Sequence, residues 1–459
     1  MVVSAVKSAR RQPPTAEIHD DTPGLAARRV ADHLLAAVID KKTPLDGLTD
    51  GEHGHPQYRA LDARDRGLVR AILTTALRHR MSIQALIDAR LDRKLPSNAA
   101  ALNHILHVGA AQLLFLDIPD SAAVDLAVTH AKLDPRTRRF ANLVNAILRE
   151  IGRRKERALP AVLAKTVEAP EWFAERLDAS YGKDHARAIL DMHRHEAAID
   201  LTVKSNPQEW AHKLGGFVLP TGSVRLTSVD GAVSELPGFG DGEWWVQDAA
   251  AALPARLMGN IEGKRVADIC AAPGGKTAQL ALSGAHVTAI EKVANRAKRL
   301  AGNLERLKLD VEIVVADLFE HRPDQLYDAV LLDAPCSSTG TIRRHPDVLW
   351  TKTPDDISRL AALQRRMLDH AVTLVKPGGT ILFCNCSLDP EEGEAMIATA
   401  LAENKALERV PFAAGEFPFV DGFLDADGAV RTTPAGLPDA VHKRAGLDGF
   451  YTVRLRVKG

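Results

Sequence analysis

The chain has 459 residues, 46% hydrophobic and 26% charged, with a formal net charge of zero, which is material for two or three globular domains. No stretch approaches the roughly 20 apolar residues of a membrane helix, and the early basic residues Lys7, Arg10 and Arg11 are followed by no apolar run of the kind a secretory signal needs, so the expected setting is cytoplasmic with no membrane partner. The neutral total hides an asymmetry: residues 1–160 carry 25 Lys and Arg against 18 Asp and Glu, the remainder 34 against 41, so the front is suited to an anionic partner such as nucleic acid, or simply carries ordinary surface charge.

Residues 1–22 are polar, with Pro13 and Pro14, and read as a disordered tail. From Gly24 to about Arg157 apolar residues recur at helical spacing (Leu25, Val30, Leu34, Leu35, Val38; Leu68, Ile72, Leu73, Leu77; Leu102, Ile105, Leu106, Leu113; Val144, Ile147, Leu148, Ile151), which predicts an all-helical bundle over 23–160. Arg64, Arg66, Arg70, Arg78, Arg80, Lys132, Arg136, Arg138, Arg139, Arg153, Arg154, Lys155 and Arg157 gather near its helix ends with few aromatics among them. That pattern fits a surface that reads backbone phosphates and shape rather than stacking bases, or a solvated or protein-docking face. Leu159-Pro160 and Ala169-Pro170 punctuate a boundary. Residues 161–240 read as a small α/β module with helices at 172–181 and 184–193 and strands at 198–203 and 223–226.

From 241 to 459 strands and helices alternate. Strands are predicted at 265–270, 286–290, 312–316, 328–332, 380–385 and 450–457, the pattern of a doubly wound, mostly parallel sheet that binds ligands at its C-terminal strand ends. After the first strand stands Cys270-Ala271-Ala272-Pro273-Gly274-Gly275-Lys276-Thr277, a turn through which backbone approaches a ligand closely. It is not a P-loop, because Cys270 occupies the place of the required first glycine, and it lacks the third glycine of the dinucleotide fingerprint. The next strands end in Glu291, Asp317 and Asp333. Carboxylates converging on one crevice call for a ligand with positive charge and hydroxyls, and S-adenosylmethionine has both. Two strand ends then deliver Cys336, in Asp333-Ala334-Pro335-Cys336-Ser337, and Cys386, in Cys384-Asn385-Cys386-Ser387. Cys384 reads as a small buried hydrophobe. The paired cysteine spacing of zinc sites is absent, which disfavours a metal held by the thiols and His345.

These cysteine segments, with the loop 270–277, Arg343-Arg344-His345-Pro346-Asp347 and Asp448-Gly449-Phe450-Tyr451, resemble the NOL1/NOP2/Sun family of RNA 5-cytosine methyltransferases, and the helical front resembles the NusB-like domain fused to its bacterial ribosomal members. The resemblance implies a Rossmann-like S-adenosylmethionine-dependent methyltransferase domain preceded by an all-helical NusB-like RNA-binding domain, acting on RNA, with small-subunit ribosomal RNA as the expected substrate and no metal. It implies a cofactor site at Cys270, Ala271, Ala272, Pro273, Gly274, Gly275, Lys276, Glu291, Asp317 and Asp333, Cys386 as nucleophile and Cys336 as the thiol that aids product release. Asp333 is expected to hydrogen-bond the ring of the target base. The chain departs from the family at Glu291, where Asp is commoner, at Asn385, where Thr is usual, and at Thr202, where Arg is frequent. The alternative is an RNA-binding, antitermination-like factor with an inactive methyltransferase fold.

Overall fold

The computed structural model describes residues 22–459 except Lys94, Ser97, Asn98, Asp230, His442 and Lys443, so the expected tail lies, up to Asp21, outside the described residues. The chain forms two compact units, Met1–Thr166 and Val167–Gly459.

The described elements of the first unit are all helices, the longer ones being Leu25–Lys41, Ala63–Arg78, Arg80–Asp88, Ala100–Phe115, Asp120–Leu133 and Ala141–Lys165. The apolar positions read from the sequence are its core, with Leu34, Leu35, Val38, Ile72, Leu73, Leu77, Leu106, Val144 and Leu148 wholly inaccessible. Pro160 does not end a helix; it lies within Ala141–Lys165. A proline there removes one backbone bond from a 25-residue helix whose earlier turns are fixed by the buried stripe Val144, Ile147, Leu148 and Ile151. Arg78, expected on the basic surface, is buried, and burial pulls the Arg80 guanidinium down to about 10. Both flank His79, which stacks on Phe115 with ring centroids 3.9 Å apart, so this junction between two helices turns inward. Arg64, Arg70, Lys132, Arg136, Arg138, Arg139, Arg153, Arg154 and Arg157 are exposed.

The second unit opens with helices Glu171–Tyr181 and Lys183–His193 and a four-stranded antiparallel sheet made of β1 (Ile199–Val203), β2 (Phe217–Val218), β3 (Val224–Leu226) and β4 (Trp244–Val246), in the order β2-β3-β1-β4. The larger sheet comprises β5 (Arg265–Ile269), β6 (His286–Glu291), β7 (Glu312–Val315), β8 (Tyr327–Asp333), β9 (Val375–Asn385), β10 (Leu407–Arg409), β11 (Val430–Thr432) and β12 (Phe450–Val457). Its order is β10-β12-β9-β8-β5-β6-β7, with β11 also paired to β12. β5 to β9 run parallel and β12 is antiparallel to β9. Alternate residues of the central strands enter two cores. Ala267, Ile269, Val330, Leu332, Ile381 and Phe383 pack with Met367, Leu368 and Ile397, whereas Val266, Ala329, Leu331, Leu382 and Cys384 pack with Leu253 and Leu280. Burial on both faces is why these strands read as unbroken apolar runs. The helix Pro354–Val372, which covers the first face, starts at a capping box between Thr353 and Asp356 with Pro354 in its first turn.

A buried ionic network ties the small sheet to the large one. Arg225 on β3 donates to both oxygens of Asp200 on β1, at 2.6 and 2.7 Å, and to the carbonyls of Arg444 and Ala445 at 2.8 and 3.1 Å. Arg344 reaches Asp248 at 2.5 Å, Asp448 at 3.2 Å and the Ala198 carbonyl at 2.9 Å.

Candidate active site

β5 leads into the loop through Asp268, whose side chain is inaccessible. Its Oδ2 accepts from Thr277 Oγ1 at 2.5 Å, and its Oδ1 is a buried oxygen with no hydrogen-bond partner. Burial is the main cause that lifts the carboxyl to about 7, against the Thr277 bond. Cys270 follows with φ +63° and Gly274 with φ +105°. The first is uncommon for a residue with a Cβ; at the second, a Cβ would meet Leu300 Cδ1 at 2.7 Å, so only glycine fits. The helix Gly275–Leu282 begins there and points Lys276 across the crevice, where its Nζ donates to Asp333 Oδ2 at 2.9 Å and lies 4.9 Å from the Phe450 ring centroid. Burial works against the Lys276 ammonium, but the charge and hydrogen bond of Asp333, with Cys384 and Asp268, together outweigh it and raise the group above its ordinary value.

β8 delivers Cys336 beyond Asp333, and β9 delivers Cys386. Their sulfurs are 3.4 Å apart. The hydrogen bond from Cys336 lowers the Cys386 thiol, against burial and the charge of Asp333, with Ser338 and Lys276 assisting. The same bond, reinforced by burial, raises Cys336 well above the ordinary thiol range. Of the pair, Cys386 is therefore the thiol more easily ionised, with the Cys336 thiol as donor. Cys384 is wholly buried in the core. Main chain fixes the spacing. Gly340 N–H donates to the Cys386 carbonyl and Gly449 N–H to the Gly340 carbonyl, both at 2.8 Å; a Cβ on Gly340 would lie 2.0 Å from the Gly449 oxygen.

A cavity of about 460 Å³ opens on Cys386, with Asp268, the stretch 271–276, Asp333, Arg344, Asp448 and Phe450 in its walls. Glu291 and Asp317 end the neighbouring strands beyond this lining. Glu291 is 2% exposed; its Oε1 accepts from Val293 N–H at 2.9 Å and its Oε2 is a second buried oxygen without a hydrogen bond, 3.5 Å from Arg296. Asp317 pairs with Lys292 at 2.7 Å and accepts from Phe319 N–H at 3.1 Å. Among the described residues no group of His, Cys, Asp and Glu is placed to hold a metal ion.

Residues 255–456 match the family described as 16S rRNA methyltransferase RsmB/F, and residues 25–153 match the NusB family. The ribosomal RNA small subunit methyltransferase B of Xanthomonas campestris is 36% identical over 408 residues, spanning 85% of this chain and 91% of its own. That of Pasteurella multocida is 32% identical over 457 residues, 94% and 96% of the two chains. The chain belongs to the ribosomal RNA small subunit methyltransferase B family. A solved methyltransferase homolog from Pyrococcus horikoshii superposes with a TM-score of 0.51 at 26% identity, over 63% of this chain and 95% of that one.

The helical front of this methyltransferase is thus NusB-like and its sheet Rossmann-like, as the motifs implied. Of the candidate site residues, Ala271 to Lys276, Asp333 and Cys386 share one cavity with Cys336 against Cys386, while Cys270, Glu291 and Asp317 stand along the strand ends beside it. Sequence reasoning passed over Asp268, Gln247, Asp248 and Arg344. Gln247 accepts from Thr202 Oγ1 at 2.8 Å and from Trp245 Nε1 at 2.9 Å, and donates to Gln279 at 2.9 Å. Thr202 is accordingly a buried partner of the cavity wall. The available signal was the polar pair Gln247-Asp248 placed between Trp244-Trp245-Val246 and the alanine run 249–252.

Proposed function

We propose that this methyltransferase transfers a methyl group from S-adenosylmethionine to carbon 5 of a cytosine in small-subunit ribosomal RNA, through a covalent bond between Cys386 and carbon 6. The observation that carries the reading is the 3.4 Å contact between Cys336 and Cys386, with Cys386 lining a cavity beside Asp333. The donor fits the residues present: Asp268 and Glu291 each keep a buried carboxylate oxygen without a hydrogen bond, suited to an ammonium and to ribose hydroxyls, and the turn 270–276 lets backbone approach them. When bound, the donor supplies an electrophilic methyl group on a sulfonium.

Carbon 5 of cytosine is a weak nucleophile. Addition of the Cys386 thiolate at carbon 6 makes the ring enamine-like, and carbon 5 then takes the methyl group. A free thiol titrates near ~8.5, so the lowered Cys386 thiol is the form this addition needs. As the adduct forms, ring nitrogen 3 takes a proton from solvent and the Asp333 carboxylate, held by Lys276, accepts a hydrogen bond from that N–H, which neutralises the charge the ring gains; the proton leaves again when the ring is restored. Once Cys386 is bonded to carbon its negative charge is spent, and with it the main cause that keeps Cys336 protonated. Cys336 then releases its proton to solvent through the cavity and accepts the carbon 5 proton; the carbon–sulfur bond breaks and Cys386 leaves as thiolate. The target base has to be unstacked to enter.

RNA affinity is assigned to the NusB-like unit, where an open cavity of about 930 Å³ is lined by Arg29, Arg136 and Arg139 beside Phe140, and Arg136, Arg138 and Arg139 are exposed. The test is a denaturing gel. Cys336→Ala incubated with the RNA and S-adenosylmethionine is expected to accumulate a covalent protein–RNA complex, which Cys386→Ala and the double variant lack. A complex in Cys386→Ala instead would reverse the roles, and none in any variant would leave an RNA-binding factor with an inactive fold.

A further inference from the structure

We propose that Glu392 is the positioning residue that divides the labour of the two thiols, its buried carboxylate clamping both cysteine loops together and its charge keeping the proton on Cys336. The proposal rests on the thiol roles given above.

Glu392 follows β9 in the turn Pro390–Glu392 and is inaccessible to solvent. Its Oε1 accepts from the Ser337 N–H at 2.8 Å and from Gln364 Nε2 at 3.0 Å; its Oε2 accepts from the Ser337 hydroxyl and from the Ser387 hydroxyl, the latter at 2.6 Å. Ser337 directly follows Cys336 and Ser387 directly follows Cys386, so one side chain grips the residue after each thiol. Its carbonyl also accepts from Asn385 Nδ2 at 2.6 Å, which fixes the residue before Cys386. Two of the four donors are N–H groups that can only donate, and the Ser387 oxygen already accepts from Asp389 N–H at 3.0 Å, which directs its own proton toward Glu392. Four donors on two oxygens are what an ionised carboxylate requires.

Two of the four bonds go to Ser337, after Cys336, and one to Ser387, after Cys386, so the charge lies more against the Cys336 loop. Cys386 faces Asp333 and Lys276, and Asp389, the next acid beside Glu392, is neutralised by Arg176 at 2.6 Å. Negative charge from Glu392 therefore adds to the causes that raise Cys336, and the thiolate falls to Cys386. Without Glu392 one of the causes that keep the proton on Cys336 is lost.

Thiol labelling reads this directly and needs neither RNA nor methyl donor, so its result stands whether or not the Cys336→Ala adduct forms. The full chain is treated with limiting iodoacetamide and the two cysteine peptides are quantified by mass spectrometry. In the wild type Cys386 is expected to react at least about tenfold faster than Cys336, one pKa unit being a factor of ten in thiolate. Glu392→Gln keeps the shape and loses the charge; the preference should collapse about tenfold and kcat for methylation should fall with KM for both substrates nearly unchanged. Glu392→Asp keeps the charge and should retain the preference. Equal labelling of the wild-type thiols, an unchanged preference in Glu392→Gln, or equal loss in both variants would overturn the proposal. Should Glu392→Gln fail to fold, the wild-type ratio and Glu392→Asp still decide it.

Discussion

Asp268 holds a carboxylate oxygen that is buried, unpartnered and on the cavity wall. With burial lifting the group to about 7, the folded protein keeps it largely protonated at mildly acidic pH, and a ligand with a positive centre favours the ionised form. Binding then releases a proton, so affinity rises as pH rises through about 7. Calorimetric affinity for S-adenosylmethionine is expected to improve about tenfold from pH 6 to pH 8, and in Asp268→Asn that dependence should flatten; a wild-type affinity independent of pH would contradict this role. The contrast with Cys336, Cys386 and Asp333 shows what a sequence displays at this scale. Those three stand just beyond apolar strands, where chemistry collects. Asp268 lies inside such a strand, and only packing reveals that one of its oxygens is left over. Glu392 was hidden for a similar reason: in Asp389-Pro390-Glu391-Glu392 it is one acid among three, and only the fold shows which of them reaches both cysteine loops.

The four-stranded sheet is short-stranded, and both an apolar cluster around Leu201, Val224, Leu226 and Trp244 and a buried ion pair fasten it. β1 and β3 were legible from their apolar residues, while β2, with two residues, is too brief for a period to register and β4 was not read as a strand. The Arg225–Asp200 pair is wholly buried, so removing the arginine strands a carboxylate in low dielectric. Arg225→Met should lower unfolding free energy by about 3–5 kcal/mol, with a much smaller loss when Asp200→Leu is added, because the orphaned charge then goes too. Urea denaturation followed by tryptophan fluorescence measures both, Trp244 and Trp245 lying on the paired strand β4. Equal losses in the single and double variants would mean that packing alone fastens the sheet. At the boundary of the first unit, the proline at 160 misled because local propensity is a weaker constraint than the stripe that buries the preceding turns.

The two units divide the charge of the whole molecule, with the basic excess on the NusB-like part. If that excess engages phosphates, a fragment starting at Val167 should bind RNA more weakly and with a shallower dependence on salt, each lost phosphate contact removing about 0.7–0.9 from the log–log slope. Filter binding at several salt concentrations checks it, and identical slopes for fragment and full chain would place the RNA contacts elsewhere. The helical periodicity made that unit's architecture legible, but not which arginines face outward; Arg78 shows that a basic run on a helix end is read correctly only once its neighbours are in place. The order of strands in the large sheet also has a consequence for synthesis. β12, which lies between β9 and β10 and brings Phe450 to the cavity, is made after every strand it joins. At ~5–20 residues per second, the NusB-like unit leaves the ribosome about 15–60 s before Phe450 does. For the last part of that interval, about 3–13 s between Cys386 and Phe450, the emerging chain carries a folded basic module and both cysteines of the site, but one wall of the pocket is still unwritten.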